Sequence, residues 1–295
     1  MSMWESTRKR SFAKRALCVP LFLLVVFAFV SPAAGIEFEK AEEEAEILYK
    51  AMQNGERLPL PQVDAAEKTE ENAYEIQELL FLKLLEGDAV AGYKAGLTTA
   101  AQLERFKAPG PARAPLLKSG MTEIADPKTP FTLKSFPGMM LEVEFAFKTA
   151  ASIESPVKDE EELKKLIASI HTAIEIPQLF FADMANLGFF DLAAAGVGSK
   201  SFAVGPAHET QLDVDSMEVV LSRDGTVVNK GKGTDALDGQ WKALLWLVNS
   251  TVSGGARIEA GQYLLTGALG SMIPAQPGKY TATFPFETLT FEVVE

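Results

Sequence analysis

Apolar and polar residues alternate with a helical period near the start of this chain. Apolar side chains recur at intervals of three and four residues over residues 38–53, and Asn54-Gly55 ends the run. This spacing predicts an amphipathic helix. A Pro-containing connection follows, and Asp64 is a candidate cap for a second helix that extends towards Leu85. We therefore predict a helical entry to the fold.

The rest of the chain has mainly the two-residue period of β-strands. Apolar residues alternate with acidic or small ones over residues 141–147, and a Pro-rich loop is predicted over 109–115. Helices are predicted over 159–170 and 237–250. Further strands are predicted at 89–97, 215–220, 226–228, 263–265 and 289–294. The pattern predicts an α+β fold, with a small N-terminal helical and mixed region followed by a β-rich part.

The first 35 residues differ from the rest of the chain. Five basic residues precede an apolar run at 16–30, and small residues follow at 31–35. This layout is typical of a secretory signal peptide. The apolar run is shorter than the roughly 20 residues that span a bilayer, so we favour cleavage over a membrane anchor. We expect a signal at 1–35, a helical and mixed region at 36–130, a β-rich domain at 131–295, and an exported, periplasmic or secreted protein without stable membrane insertion.

Composition narrows the chemistry that the mature chain can perform. The one cysteine, Cys18, lies in the predicted signal, so disulfides and thiolate ligands are excluded from the mature chain. His171 and His208 are the two histidines, and we expect neither to be catalytic. Removing residues 1–35 changes the formal charge from −12 to −16, which argues against nucleic-acid binding. An anionic substrate would need a bound cation or a local Lys.

Three glutamates form the leading candidate site. Glu142 and Glu144 are two apart on a predicted strand and so point to the same face. Glu175 lies in an apolar surrounding, where an unpaired carboxylate is costly. Three carboxylates suit a hard octahedral cation such as Mg²⁺ or Mn²⁺. The alternatives are a solvated strand face balanced by Lys148, or two acids that transfer protons without a metal.

Two further segments carry candidate residues. Lys94 lies between Gly92 and Gly96 at a predicted strand end, where it can reach into a cleft or remain a surface Lys beside a turn. An apolar strand at 264–266 leads into Gly267, where backbone N–H groups could bind a substrate oxygen. The Gly-Lys-Gly segment at 231–233 lacks the spacing of a phosphate-binding loop.

Taken in order, these segments resemble a known superfamily. The match includes residues 73–77, 93–98, 141–144, the surroundings of Glu175, 231–233, 246–247 and 265–270. Together they resemble the fumarylacetoacetate hydrolase superfamily, in its branch of 2-oxopent-4-enoate hydratases and 4-oxalocrotonate decarboxylases. The resemblance covers nearly all of residues 38–295. It implies a rolled-sheet catalytic domain of the fumarylacetoacetate hydrolase C-terminal type and a homo-oligomer.

The resemblance also implies an active site and an activity. Glu142, Glu144 and Glu175 match the family's metal-ligand acids, and Lys94 matches its active-site Lys. Thr266 and Gly267 match the turn that contacts substrate. The implied cofactor is Mg²⁺ or Mn²⁺. The implied activity is that of a metal-dependent lyase, a hydratase acting on a small 2-oxo or 2-hydroxydienoic acid, with Lys94 orienting the substrate or moving a proton if burial lowers its pKa.

Two departures from the family pattern keep other activities open. The segment 116–121 lacks the Asp that the hydratases carry before the paired acids, and Phe-Ala-Asp-Met occurs instead at 181–184. Leu192 stands where the family has an Asn. A 2-oxo acid decarboxylase, a C–C hydrolase of the same superfamily and an exported non-catalytic 2-oxo acid binding protein are the alternatives.

Overall fold

The computed structural model describes residues 35–123 and 130–295. Residues 1–34 of the predicted signal lie outside the described residues. Across these two ranges no helix is long and apolar enough to cross a membrane. The helices are α1 (Phe38–Asn54), α2 (Glu70–Leu84), α3 (Ala100–Phe106), α4 (Glu160–Lys164), α5 (Phe189–Ala194) and α6 (Gln240–Ser253).

Strands make up most of the remaining regular structure, as the two-residue period predicts. They are β1 (Val90–Gly96), β2 (Ala112–Leu117), β3 (Met121–Glu123), β4 (Phe131–Thr132), β5 (Met140–Thr149), β6 (Ile167–Ile176), β7 (Ser201–Val204), β8 (Glu218–Arg223), β9 (Thr226–Lys232), β10 (Tyr263–Leu265), β11 (Ile273–Pro274), β12 (Gly278–Thr283) and β13 (Thr288–Val294). The predicted α+β class with a curled sheet is confirmed.

The strands form two sheets. The larger has the order β2-β1-β10-β5-β6-β7-β3, with β11 added beside β5, and the smaller has the order β4-β13-β12-β8-β9. Strands β5 and β6 lie at the middle of the larger sheet and pair antiparallel. Strands β1 and β2, from the proposed N-terminal region, belong to this same sheet. The domain boundary at residue 130 is a proposal.

Alternation along β5 gives that strand two different faces. Val143, Phe145 and Phe147 point into the main core, where the Phe147 ring meets that of Trp241 from α6 with centroids 5.0 Å apart. Burying one such aromatic side chain stabilises the fold by roughly 1.5–3 kcal/mol. The opposite face carries the even-numbered residues, so the core fixes where Glu142 and Glu144 point.

The helical entry differs slightly from its prediction. Helix α1 begins and ends as the apolar spacing predicts. Helix α2 begins later than predicted, because the Thr69 hydroxyl caps it by accepting the N–H of Asn72. Asp64 instead precedes a short 3₁₀ turn at Ala65–Glu67. The helices pack together and against α5 in a second apolar cluster.

Two predicted elements were wrong. The helix predicted over 159–170 ends at Lys164, since the β-branched residues that follow favour the extended strand β6. The loop predicted over 109–115 contains most of strand β2. Pro115 is tolerated there because β2 is an edge strand, where a missing N–H costs no ladder bond.

Candidate metal centre and active site

The three predicted glutamates meet on one face of the larger sheet. Glu142 on β5 lies directly opposite Glu175 on β6, and Glu144 lies opposite Ala173. Each offers one carboxylate oxygen, and these atoms all lie within 4.8 Å of one another. All three side chains are buried. Acids that are 31 residues or more apart in sequence are thus brought together by the register of a single antiparallel strand pair.

Each of these carboxylates has one oxygen bound to a protein donor. The backbone N–H of Gly267 donates to Glu144 Oε2 at 2.8 Å, and the Gln102 side-chain amide donates to Glu142 Oε1 at 3.0 Å. The Lys94 ammonium forms an ion pair with Glu175 Oε1. Glu144 Oε1 and both oxygens of Glu175 are buried and accept no hydrogen bond from the residues that the structure describes, so Glu175 is held through its ion pair with Lys94 alone. Buried acceptors without donors fit a cation.

Burial and mutual repulsion oppose full ionisation of this cluster. Burial raises the pKa of Glu142 to about 7, and the charge of Glu175 adds to this effect. Burial also raises the pKa of Glu144 well above its usual range, with further contributions from Glu175 and Glu142. Three carboxylates and one ammonium together carry two excess negative charges when all are ionised. A divalent cation would offset them, and oxygen ligands are those that Mg²⁺ prefers.

Lys94 is buried at the centre of this arrangement. Its ammonium donates to the backbone carbonyl of Val197 at 3.0 Å, in addition to its ion pair with Glu175. Burial alone would lower the pKa of Lys94, but the charges of Glu175 and Glu142 outweigh burial and raise it. The predicted role of Lys94 in proton transfer was conditional on a lowered pKa, and this condition is not met, because the pKa is raised overall. Lys94 is therefore an ammonium that donates hydrogen bonds.

The turn at Thr266 and Gly267 packs beside the acids and binds Glu144 through the N–H of Gly267. The Thr266 hydroxyl is fully buried and contacts the carbonyl of Phe145 and the side chain of Gln240. Gly267 has a φ of +107°, and a Cβ atom there would lie 2.1 Å from Thr98 Oγ1. Only glycine fits this position, and its N–H reaches Glu144 because the turn passes so close. Contact of this turn with a substrate remains a prediction.

A small cavity and an open cleft lead to the acids. The inner cavity, of about 30 Å³, is lined by Lys94, Glu142 and apolar side chains that include Leu192. The outer cleft, of about 670 Å³, is lined by helix α3 and by residues near Asp235 and Ser271. Gln102, Phe106 and Met272 line both spaces. The outer cleft has room for a small ligand, and these three residues separate it from an inner cavity that is the size of about one water molecule.

Three other residues named in the sequence analysis have structural roles. Leu192 is buried in the wall of the inner cavity, so the wall is apolar at this position. Asp183 is exposed and binds its own loop through Asn186. His171 is buried and bonded to the carbonyl of Gly205 and the hydroxyl of Ser169, and burial lowers its pKa. These partners agree with the expectation of a structural histidine.

Sequence reasoning missed Gln102. This residue lies in the Pro- and Ala-containing segment after Thr98, and nothing in its own identity indicates a site. The sequence does contain one signal, because Thr99-Ala-Ala-Gln102 has the spacing of a capping box that begins a helix. That pattern could have located α3, although not the contact of Gln102 with Glu142.

Comparisons with known proteins agree with the geometry. No family model matches the chain. The 2-keto-4-pentenoate hydratase of Paraburkholderia xenovorans strain LB400 is 28% identical over 81% of this chain and 89% of its own length. The 4-oxalocrotonate decarboxylase of Pseudomonas sp. strain CF600 is 25% identical over 75% of this chain and 83% of its own length.

Solved structures share the fold. The 4-oxalocrotonate decarboxylase from Pseudomonas putida G7, complexed with magnesium and adipate, aligns with a TM-score of 0.79 at 20% identity, over 88% of this chain and 99% of its own. A Yersinia pestis protein assigned to the fumarylacetoacetate hydrolase family aligns with a TM-score of 0.50 at 15% identity, over 68% and 92%. The chain is thus homologous to proteins named 2-keto-4-pentenoate hydratase and 4-oxalocrotonate decarboxylase, and its structural neighbours are proteins of the fumarylacetoacetate hydrolase family.

Proposed function

We propose that this chain is a divalent-cation-dependent lyase that hydrates a small 2-oxo acid in its 2-hydroxydienoic form. The observation that carries the proposal is the set of three buried glutamates, each with one oxygen held by a protein donor. The names of the relatives support the reaction class. Mg²⁺ and Mn²⁺ both suit an all-oxygen site, and the magnesium in the solved relative favours Mg²⁺.

Each residue of the site has a separate role in this proposal. Glu142, Glu144 and Glu175 would hold the cation, which supplies Lewis-acid stabilisation of negative charge on the carboxylate and 2-oxo oxygens of the substrate. Lys94, as an ammonium, would orient the substrate and donate a proton at the inner cavity. The apolar walls there would exclude bulk water and strengthen each electrostatic contact. Thr266 and Gly267 would border the substrate while they position Glu144.

The proposal extends to assembly and location, which rest on the sequence. We propose a homo-oligomer, as the family resemblance implies. We also propose export after cleavage of the segment at 1–35, on the basis of its basic start, apolar run and small residues. N-terminal sequencing of the mature protein and its sedimentation behaviour test these two points.

Decarboxylation is the second candidate, and two observations favour it. The solved decarboxylase aligns over nearly its whole length. Leu192 makes the cavity wall apolar where an amide could have positioned water. Poor solvation favours loss of CO₂ from a carboxylate and disfavours delivery of water.

The decisive experiment supplies purified protein and Mg²⁺ with a 2-hydroxydienoate, and in parallel with 4-oxalocrotonate. Hydration removes the dienoate absorbance without release of CO₂, whereas decarboxylation releases one CO₂ for each substrate consumed. The Glu144→Gln variant is the control, since it should be inactive in both assays. Absence of turnover, combined with a melting temperature that rises with oxalate only in the presence of Mg²⁺, would replace the enzyme proposal with a binding protein.

A further inference from the structure

Gln102 connects helix α3 with the acidic cluster. Its Oε1 atom accepts the backbone N–H and the hydroxyl of Thr99, both at 3.2 Å, which closes the capping box of α3. These two bonds fix the orientation of the amide, so its nitrogen must face the other way. That nitrogen donates to Glu142 Oε1 at 3.0 Å. One side chain therefore starts the helix and holds a carboxylate of the site.

Helix α3 has few other attachments. It contains seven residues, of which Phe106 is the buried one. The helix forms one wall of the outer cleft, and Gln102 and Phe106 also line the inner cavity. Short helices with little buried apolar surface open locally at low free-energy cost. The contact of Gln102 with Glu142 is thus a substantial part of what holds this wall in place.

We infer that Gln102 is a positioning residue, which holds Glu142 with its second oxygen towards the other two acids and thereby couples ion binding to the order of helix α3. The inference rests on the proposed function, because it requires a cation at the three glutamates. The amide and the ion would bind opposite oxygens of one carboxylate, so ordering by either favours binding of the other. Coupling of this kind is reciprocal.

The competing explanation is that Gln102 acts only as a helix cap. The two roles separate because the cap uses Oε1 and the contact with Glu142 uses Nε2. Gln102→Met keeps side-chain length and helix propensity but removes all three side-chain hydrogen bonds, the two at Oε1 and the one at Nε2. Thr99→Val is the matched control, since it removes the hydroxyl of the cap and leaves the amide free to reach Glu142.

The experiment measures Mg²⁺ affinity by calorimetry and amide hydrogen exchange over residues 100–106, with and without saturating Mg²⁺. We expect Gln102→Met to bind Mg²⁺ about 10- to 100-fold more weakly than wild type, as loss of a group that orients a ligand usually does. Thr99→Val should bind within about twofold of wild type, because the hydrogen bond that orients the ligand is retained. Mg²⁺ should slow exchange in α3 of wild type and Thr99→Val, but not of Gln102→Met.

Four outcomes would overturn the inference, and they are distinguishable. Mg²⁺ binding by Gln102→Met at wild-type affinity removes the positioning role alone. An equal loss in Thr99→Val and Gln102→Met assigns the effect to the cap. Wild-type protein that binds Mg²⁺ without any change of exchange in α3 removes the coupling, even if the variants do not fold. Wild-type protein that takes up no Mg²⁺ at all overturns the proposed metal centre together with this inference.

Discussion

Glu144→Gln should stabilise the protein without metal and abolish its stabilisation by metal. Among the described residues, Glu144 forms no ion pair of its own and accepts a hydrogen bond from the N–H of Gly267, while the charge of Lys94 offsets only part of the repulsion. A Gln oxygen can accept the same N–H, and its amide can donate to the carboxylates of Glu142 or Glu175. The substitution therefore keeps the shape of the site, satisfies its hydrogen bonds and removes one of the repelling charges.

The magnitude follows from the spacing of the acids. The carboxylate oxygens all lie within 4.8 Å of one another, and two unit charges at that separation repel by about 3.5 kcal/mol at an effective dielectric constant of 20. We expect the free energy of unfolding of the metal-free variant to exceed that of wild type by about 1–3 kcal/mol, which raises Tm by roughly 3–9 °C in a chain of this size. Mg²⁺ at 100 times its Kd should stabilise wild type by about 3 kcal/mol and the variant not at all.

The assay is thermal unfolding at pH 8.5 with EDTA and with excess Mg²⁺. The high pH matters because the raised pKa of Glu144 lets protonation relieve the repulsion at lower pH. Glu292→Gln, at an exposed position on β13, is the matched control and should leave both measurements unchanged. A metal-free Glu144→Gln variant that melts below wild type, or an equal rise with Mg²⁺ in both proteins, would refute the electrostatic reasoning.

Three further predictions concern other parts of the site. Lys94→Met should keep Mg²⁺ affinity, measured by calorimetry, within about tenfold of wild type. The same variant should turn over substrate about 100-fold more slowly or worse, since a positioned proton donor is lost. Retained turnover would contradict the role of Lys94. Gly267→Ala should lower the free energy of unfolding in urea by about 2–4 kcal/mol, because the new Cβ overlaps Thr98 at a strained φ; a loss below about 0.5 kcal/mol would contradict this. The pKa of Glu142 is raised from 4.5 to about 7 in the folded protein. Between these two pH values the folded protein therefore holds one proton more than the unfolded chain. Stability without metal should therefore fall by up to about 3 kcal/mol as pH rises from about 5 to about 8, and Mg²⁺ should offset the fall; a flat melting profile in EDTA would be the contrary result.

Local periodicity was sufficient to predict the orientation and burial of the three acids, but not that they meet. Alternation in β5 assigns Glu142 and Glu144 to one face, and the apolar neighbours of Glu175 indicate that this acid is buried. The register that sets Glu142 opposite Glu175 is a long-range property. No local pattern contains it, and the resemblance to a family supplied the link.

Other features could not be predicted, because they depend on competing interactions. The acidic residues after Asp159 favour a helix start, but the β-branched residues that follow gain more by joining the central sheet, so the helix is short. The pKa of Lys94 depends on how many carboxylates surround it, and local sequence suggests only its burial. Gln102 reaches Glu142 across 40 positions of sequence.

The pairing of β5 with β6 has a consequence for which changes this protein can tolerate. The one irregularity in their register lies at Lys148 and Thr149, at the end of the strands away from the acids. Insertions in the connection between the strands can thus lengthen the hairpin, and deletions can shorten it, while the glutamates stay opposed. A single extra residue between Glu142 and Glu144 would instead rotate one of them towards Phe145 and the apolar core, and would turn a hydrophobic side chain towards the remaining acids.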